Sequence, residues 1–241
     1  GAVVNAHSTG SQQAYVYASF LYNNHADRYG GAIYADNKST TYFDSAYFYN
    51  NYAKQGGAVY YNTDTRSSNY SQYYLYNGAI NLSGQALGGG LYIGSSGVFN
   101  LGYTHFTGNY AVGMYARGGA IYNEGSIGTT YMNSNIYNNY AIGRSNAYGG
   151  AIYTTKSITF TSTSNWTMKG NYSMIGSNIQ QSANGYTASG TRVSDGIFVD
   201  GSGVSLTFNT SGTRSIYLYD DFSGNYAYTV NLNNNYHTIN L

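Results

Sequence analysis

The sequence predicts an all-β fold, a right-handed single-stranded parallel β-helix of about eight to nine coils. Three observations predict it. A Gly-Gly-Ala-Ile-Tyr motif recurs with a period of about thirty residues. A second motif precedes the copies in fixed order. The segments between them alternate apolar and polar residues, as in Ser157-Ile158-Thr159-Phe160-Thr161, which is strand periodicity, and none shows a capped helical period.

The first motif stands at Gly30-Gly31-Ala32-Ile33-Tyr34, Gly56-Gly57-Ala58-Val59-Tyr60, Gly118-Gly119-Ala120-Ile121-Tyr122 and Gly149-Gly150-Ala151-Ile152-Tyr153, with a softened copy at Gly88-Gly89-Gly90-Leu91-Tyr92. Gly1-Ala2-Val3-Val4 reads as the second half of one more copy. The second motif is an apolar residue, two variable residues, Asn, an aromatic or His, then a small residue. Its instances are Leu21…Asn24-His25-Ala26, Phe48…Asn51-Tyr52-Ala53, Phe106…Asn109-Tyr110-Ala111, Ile136…Asn139-Tyr140-Ala141 and Met168…Asn171-Tyr172-Ser173, and it blurs between Leu75 and Ala86. Propeller blades are longer than this period and leucine-rich repeats carry a different Leu pattern, so one repeat is one solenoid coil.

In a solenoid each strand pairs with its equivalent about 4.8 Å away, so equivalent residues stack. The Gly pair then serves a sharp bend, Ala a narrow interior corner and Ile or Val the core, with Tyr pointing outward. The recurring Asn suits a left-handed turn position, and stacked Asn side chains can hydrogen-bond along the axis. After about residue 175 the Gly-Gly-Ala motif is lost but alternation persists at Val204, Leu206 and Phe208, at Ile216 and Leu218, at Val230 and Leu232, and at Ile239 and Leu241. The expected organisation is a single domain over 1–241, with motif-bearing coils to 175 and plainer coils over 176–241.

Composition agrees with strands and excludes several functions. The 241 residues include 32 Tyr and 32 Gly but no Pro or Cys. Aromatics make up 17%, unlike a disordered chain. Only 8% of residues are charged and the net charge is +1, which offers nothing to nucleic acid or an anionic membrane. Without Cys there are no disulfides and no thiolate metal sites. No run of about 18 apolar residues is present, so no membrane insertion is expected of this chain as a helix, and no signal peptide is evident.

The alternating motifs resemble those of the polymorphic outer membrane proteins of chlamydiae and related autotransporter passengers, which carry repeated Gly-Gly-Ala-[Ile/Leu/Val] and Phe-x-x-Asn tetrapeptides. Gly30–Ile33, Gly56–Val59, Gly118–Ile121 and Gly149–Ile152 match the first. Phe48–Asn51 and Phe106–Asn109 match the second strictly, while Leu21–Asn24, Ile136–Asn139 and Met168–Asn171 substitute the first residue. Leu206 to Gly212 and Tyr219 to Gly224 are similar to the distal part of such passengers. The resemblance implies a secreted or surface-exposed adhesive β-helix. It departs in its Tyr enrichment and in showing no membrane barrel.

No catalytic, metal or cofactor site is expected. Polysaccharide-cleaving β-helices need clustered carboxylates, or Ca²⁺ with a basic residue. The only adjacent acids are Asp220-Asp221, with Asp195 and Asp200 about one coil earlier, and Asp favours turns. His7, His25, His105 and His237 show no ligand spacing. Thr159, Thr161 and Thr163 form one Thr row, whereas ice binding needs such a row on successive coils. Arg192 and Arg214 read as surface charges. The Tyr residues read mostly as stiffening ladders, with exposed rows available to a glycan or a host-surface partner.

The sequence begins inside one Gly-Gly-Ala copy and stops inside an apparent strand, with no capping pattern at either end. That predicts end-to-end stacking of copies through Ala2, Val3, Val4, Tyr236, Ile239 and Leu241, a heterologous homo-oligomer of subunits rising about 40 Å each. The expected function is an extracellular structural or adhesive protein, with a carbohydrate-binding or polysaccharide-cleaving β-helix as the alternative.

Overall fold

The computed structural model describes residues 3–6, 12–36, 39–63, 71–128, 131–132, 135–162, 164–183, 185–210, 215–233 and 238–240. They form a parallel β-solenoid. The first face is an eight-stranded sheet of Val3–Ala6, Ile33–Asp36, Val59–Asn62, Leu91–Ile93, Ile121–Asn123, Ile152–Thr154, Ile197–Val199 and Phe222–Gly224. The second face has eight strands from Phe20–Tyr22 to Thr238–Asn240. Short connecting strands such as Ser39–Asp44 and Ile158–Ser162 lie between the first face and the second. A third face carries six strands. The expectation was about eight to nine coils; among the described residues only two faces carry eight strands.

Register follows the motifs. The Ile or Val of each Gly-Gly-Ala copy stacks on the next: Ile33 on Val59, Val59 on Leu91, Leu91 on Ile121, Ile121 on Ile152 and Ile152 on Ile197. The first residues of the second motif do the same on the second face, with Phe48 and Phe106 sandwiching Tyr74 at centroid distances of 4.7 Å and 4.7 Å. These rows enclose the core with Phe43, Phe99, Phe160, Trp166 and Phe208. Each such side chain contributes about 1.5–3 kcal/mol on burial. Ala32, Ala58, Ala120 and Ala151 are fully buried, as the narrow corner requires.

The Gly pair turns each coil from the third face into the first. Gly118 has φ +65°, and a Cβ there would strike the Ile121 carbonyl. A Cβ on Gly119 would strike the Gly150 carbonyl one coil on. The second corner differs from expectation. The recurring Asn does not take the left-handed conformation; the preceding residue does, namely Asn23, Asn50, Tyr76, Gly108, Asn138 and Gly170, with φ from 54° to 74°. The Asn itself is freed for another role.

The region after 175 also differs. Tyr172–Ser182 starts as a third-face strand, parallel to Tyr140–Tyr148, and then returns antiparallel as Gly185–Ser194. Coil strands resume in register only at Ile197–Val199. Tyr172–Ser182 and Gly185–Ser194 therefore form a hairpin, and coil strands occupy the described residues from Ile197 onward.

Candidate functional site

The recurring Asn residues form a buried amide ladder. Asn24, Asn51, Asn77, Asn109, Asn139 and Asn171 each donate from Nδ2 to an acceptor oxygen on the next coil at 2.6–3.0 Å. Each backbone N–H donates to that same next side chain. From Asn51 onward, the second Nδ2 hydrogen goes to a main-chain carbonyl of the preceding coil, such as Leu21 for Asn51 and Tyr74 for Asn109. Asn77 belongs to this ladder, so the blurred repeat is Tyr74…Asn77-Gly78-Ala79.

The ladder stops at Asp220. Its carboxylate accepts from the Asn171 Nδ2 at 2.6 Å, the Asn171 N–H at 3.2 Å and the Gly170 N–H at 2.8 Å. Burial pushes its pKa above the usual carboxylate range, against these hydrogen bonds. The other candidate acids are likewise engaged. Asp195 accepts from the Gly149 N–H and the Ser223 hydroxyl, both at 2.7 Å. Asp200 accepts from the Tyr153 hydroxyl and the Asn225 amide.

The first-face Tyr residues point outward, yet most are buried. Tyr34, Tyr60, Tyr92, Tyr122, Tyr153 and Phe198 stack at 4.7–5.7 Å between centroids. Leu87 and Tyr148 of the third face cover them. Their hydroxyls donate to Asp36, Glu124 and Asp200. Burial pushes the Tyr60 phenol up to about 12 and its neighbours higher.

The second face carries a half-buried ladder with its Phe20 end exposed. Phe20 stacks on Tyr47 at 4.7 Å, Tyr47 on Tyr73 at 4.5 Å and Tyr73 on His105 at 5.0 Å, with interplanar angles of 6–15°. Phe20 is 71% and Tyr22 62% exposed. Because faces meet faces along the axis, this surface offers ring edges and hydroxyls outward.

The third face is covered. Its outward row Tyr52, Tyr110, Tyr140 and Tyr172 is interrupted by Gly78, whose empty position the Tyr110 ring fills. A second outward row is Ile80, Val112, Ile142 and Met174. An irregularity between Ser177 and Gln180, with Asn178 at φ 51°, bends the 172–194 hairpin back over both rows. Ile179, Tyr186 and Ala188 pack there, and the Tyr186 N–H donates to the Tyr140 hydroxyl at 2.8 Å. Arg192 lies 4.1 Å over the Tyr172 ring, so it is a packed cation as well as a surface charge.

Where this strap ends, the groove opens as a cleft of about 410 Å³. Tyr52, Ala26, Ala53 and Ile80 line it with Asn23, His25, Asp27, Lys54 and Gln181, the last from the strap tip. Lys54 and Asp27 form an exposed ion pair at 3.2 Å.

Of the residues expected at the two ends, Val3 and Val4 lie in the first strand of the first face and Ile239 in the last strand of the second. Val3 packs half-buried against the core and Val4 is 67% exposed. Ile239 pairs with Ile216 at the opposite extreme of the stack. Ala2, Tyr236 and Leu241 lie outside the described residues, as do His7, His237, Thr163 and Arg214. Thr159 and Thr161 face Thr207 and Asn209, so the Thr row is not reproduced. Sequence reasoning missed the strap and its cleft. The available signal was Tyr186 and Ile179 in a polar stretch with no copy of either motif.

Residues 19–36 and 104–124 match the model of the Chlamydia polymorphic membrane protein repeat. Each segment runs from the Asn-corner motif through the Gly-Gly-Ala corner. No curated protein and no solved structure matches the chain significantly. The chain is a parallel β-helix that carries repeats of the polymorphic membrane protein kind.

Proposed function

We propose that the chain is a non-enzymatic structural and adhesive β-helix displayed outside a bacterial cell, whose copies associate end to end into a filament or surface fibre. The observation that carries the reading is the second face, where a half-buried stacked aromatic ladder, flanked by the exposed Phe20, Tyr22 and Tyr49, lies on a charge-poor solenoid. Such a surface adheres through ring edges and hydroxyls with little entropy to lose, because stacking already holds the rings. The repeats it shares with Chlamydia polymorphic membrane proteins support a place at the cell surface.

Self-association is supported by the repeat itself. Every coil presents the same spacing of backbone donors, acceptors and ring positions, so a strand edge of another copy meets a matching partner. A non-catalytic role is supported by the engagement of Asp195, Asp200 and Asp220 in hydrogen bonds that hold the coils. Electron microscopy and light scattering of the purified protein test the filament; a monomer at every concentration refutes it. Antibody labelling of intact producing cells tests display. Beads coated with the protein should bind host cells, and Tyr22→Ser with Tyr49→Ser should weaken that binding.

A further inference from the structure

We propose that the open cleft at the strap tip is a binding site for a neutral saccharide of one or two pyranose rings. This deepens the adhesive reading, on which it rests, by assigning a ligand class and a place. The strap itself shows what the groove accepts. Over the middle coils Tyr186 lies 5.7 Å from Tyr110, with Ile179 and Ala188 beside it, so the groove takes flat apolar surface. Over the first coils the same groove is unfilled, and Tyr52, Ala26, Ala53 and Ile80 form the apolar part of its lining.

Tyr52 differs from the other ladder tyrosines. Gly78 on its neighbouring rung has no ring of its own and the Tyr110 ring fills that position, whereas on the other side His25 makes a backbone bridge to Tyr52. Along the first-face and second-face ladders ring faces are covered by the next ring, which leaves their edges for contact. A pyranose presents an apolar C–H face and a polar perimeter of hydroxyls. The cleft has the complement: an aromatic and aliphatic lining from Tyr52, Ala26, Ala53 and Ile80, with Asn23, His25, Asp27, Lys54 and Gln181 supplying donors and acceptors. Its volume of about 410 Å³ suits a disaccharide at most.

A peptide strand is disfavoured by the backbone. The Ala26, Tyr52 and Lys54 N–H groups already donate to Tyr52, Asn24 and Arg28 carbonyls. Strand addition would find few free partners here. A purely apolar ligand would strip water from five polar side chains without replacing it.

The test is saturation-transfer NMR and calorimetry of the whole chain with cellobiose, N,N′-diacetylchitobiose and N-acetyllactosamine as probes. Saturable binding of at least one is expected, about tenfold weaker in Tyr52→Ala, the loss of one stacking contact. Gln181→Ala, at the exposed strap tip and harmless to the core, should weaken it too, whereas Tyr52→Phe should retain it. No saturable binding to any probe overturns the proposal. So does binding unchanged in both Gln181→Ala and Tyr52→Ala, or weakened equally by Tyr22→Ala on the second face. Failure of cell-surface labelling would sink the adhesive reading and leave this titration unaffected.

Discussion

Replacing Asn109 with alanine tests whether the amide ladder holds the coils together. The wild-type side chain accepts from the Asn77 N–H at 3.0 Å and the Asn77 Nδ2 at 2.9 Å. It donates to the Tyr74 carbonyl at 2.8 Å and to Asn139 Oδ1 at 3.0 Å. In Asn109→Ala the Asn139 oxygen keeps the Asn109 backbone N–H as a donor. Three buried groups lose their partner: two donors on Asn77 and the Tyr74 carbonyl. At about 1–3 kcal/mol for each buried group left unsatisfied, the cost is about 3–6 kcal/mol if relaxation recovers part of it. Asn109→Asp should cost as much near neutral pH, because a carboxylate still accepts from Asn77 but faces two oxygens. Urea titration followed by circular dichroism measures both, with Thr107→Ala, half-buried on the second face, as reference. A loss below about 1 kcal/mol for Asn109→Ala, within the range of an ordinary substitution, would refute the claim that the ladder is a main source of cohesion.

The Tyr122 ring, flanked by Tyr92 and Tyr153 at 5.1 Å each, should behave as core despite facing outward. Tyr122→Ala is expected to cost about 3–5 kcal/mol in the same urea assay, and Tyr122→Phe only about 1 kcal/mol for the lost bond to Glu124. Asp220 has a folded pKa raised by burial, so its proton is held more tightly folded than unfolded. Its contribution to stability is therefore greatest at low pH and falls as pH rises from the unfolded value near about 3.9 through the raised one. Urea midpoints measured against pH should show that slope in the wild type and lose it in Asp220→Asn. The raised phenol pKa values predict the analogous loss above about pH 10, where only unfolded tyrosines ionise. Absorbance titration should show exposed phenols titrating first and ladder phenols only with loss of structure. Deleting 178–188 should uncover Val112, Ile142, Tyr110 and Tyr140, seen as new binding of a hydrophobic dye with the strand spectrum retained.

The coil was legible because its determinants are local and repeated. Gly-Gly-Ala marks a sharp corner in the motif-bearing coils, and Ile33, Val59, Ile121 and Ile152 stack because their spacing says so. Asn77 was obscured because its companions changed: Tyr74 replaced Phe and Gly78 replaced Tyr, although the ladder needs only the amide. The left-handed turn was assigned to the wrong residue, since Asn at both 50 and 51 satisfies the same propensity and only the hydrogen-bond network separates them. The strap could not be read, because its pairing is antiparallel and used once. Its apolar residues matter through contacts with Tyr110 and Tyr140, dozens of residues away. The burial of the first-face tyrosines was missed for a related reason. Alternation tells inside from outside, but not whether the outside is covered.

The amide ladder also has a sense of direction. Every Nδ2 points toward the following coil, so the amide dipoles add head to tail, as peptide dipoles do in a helix. Asp220 sits where the donors point, the place at which an anion is best received. An Asn in a rung both asks for an acceptor and offers one, so a coil can be duplicated or deleted between any two Asn rungs without leaving a partner stranded. A carboxylate accepts and asks for nothing. Coil number can therefore drift among related sequences while the ladder still closes, provided the aspartate travels with its last rung.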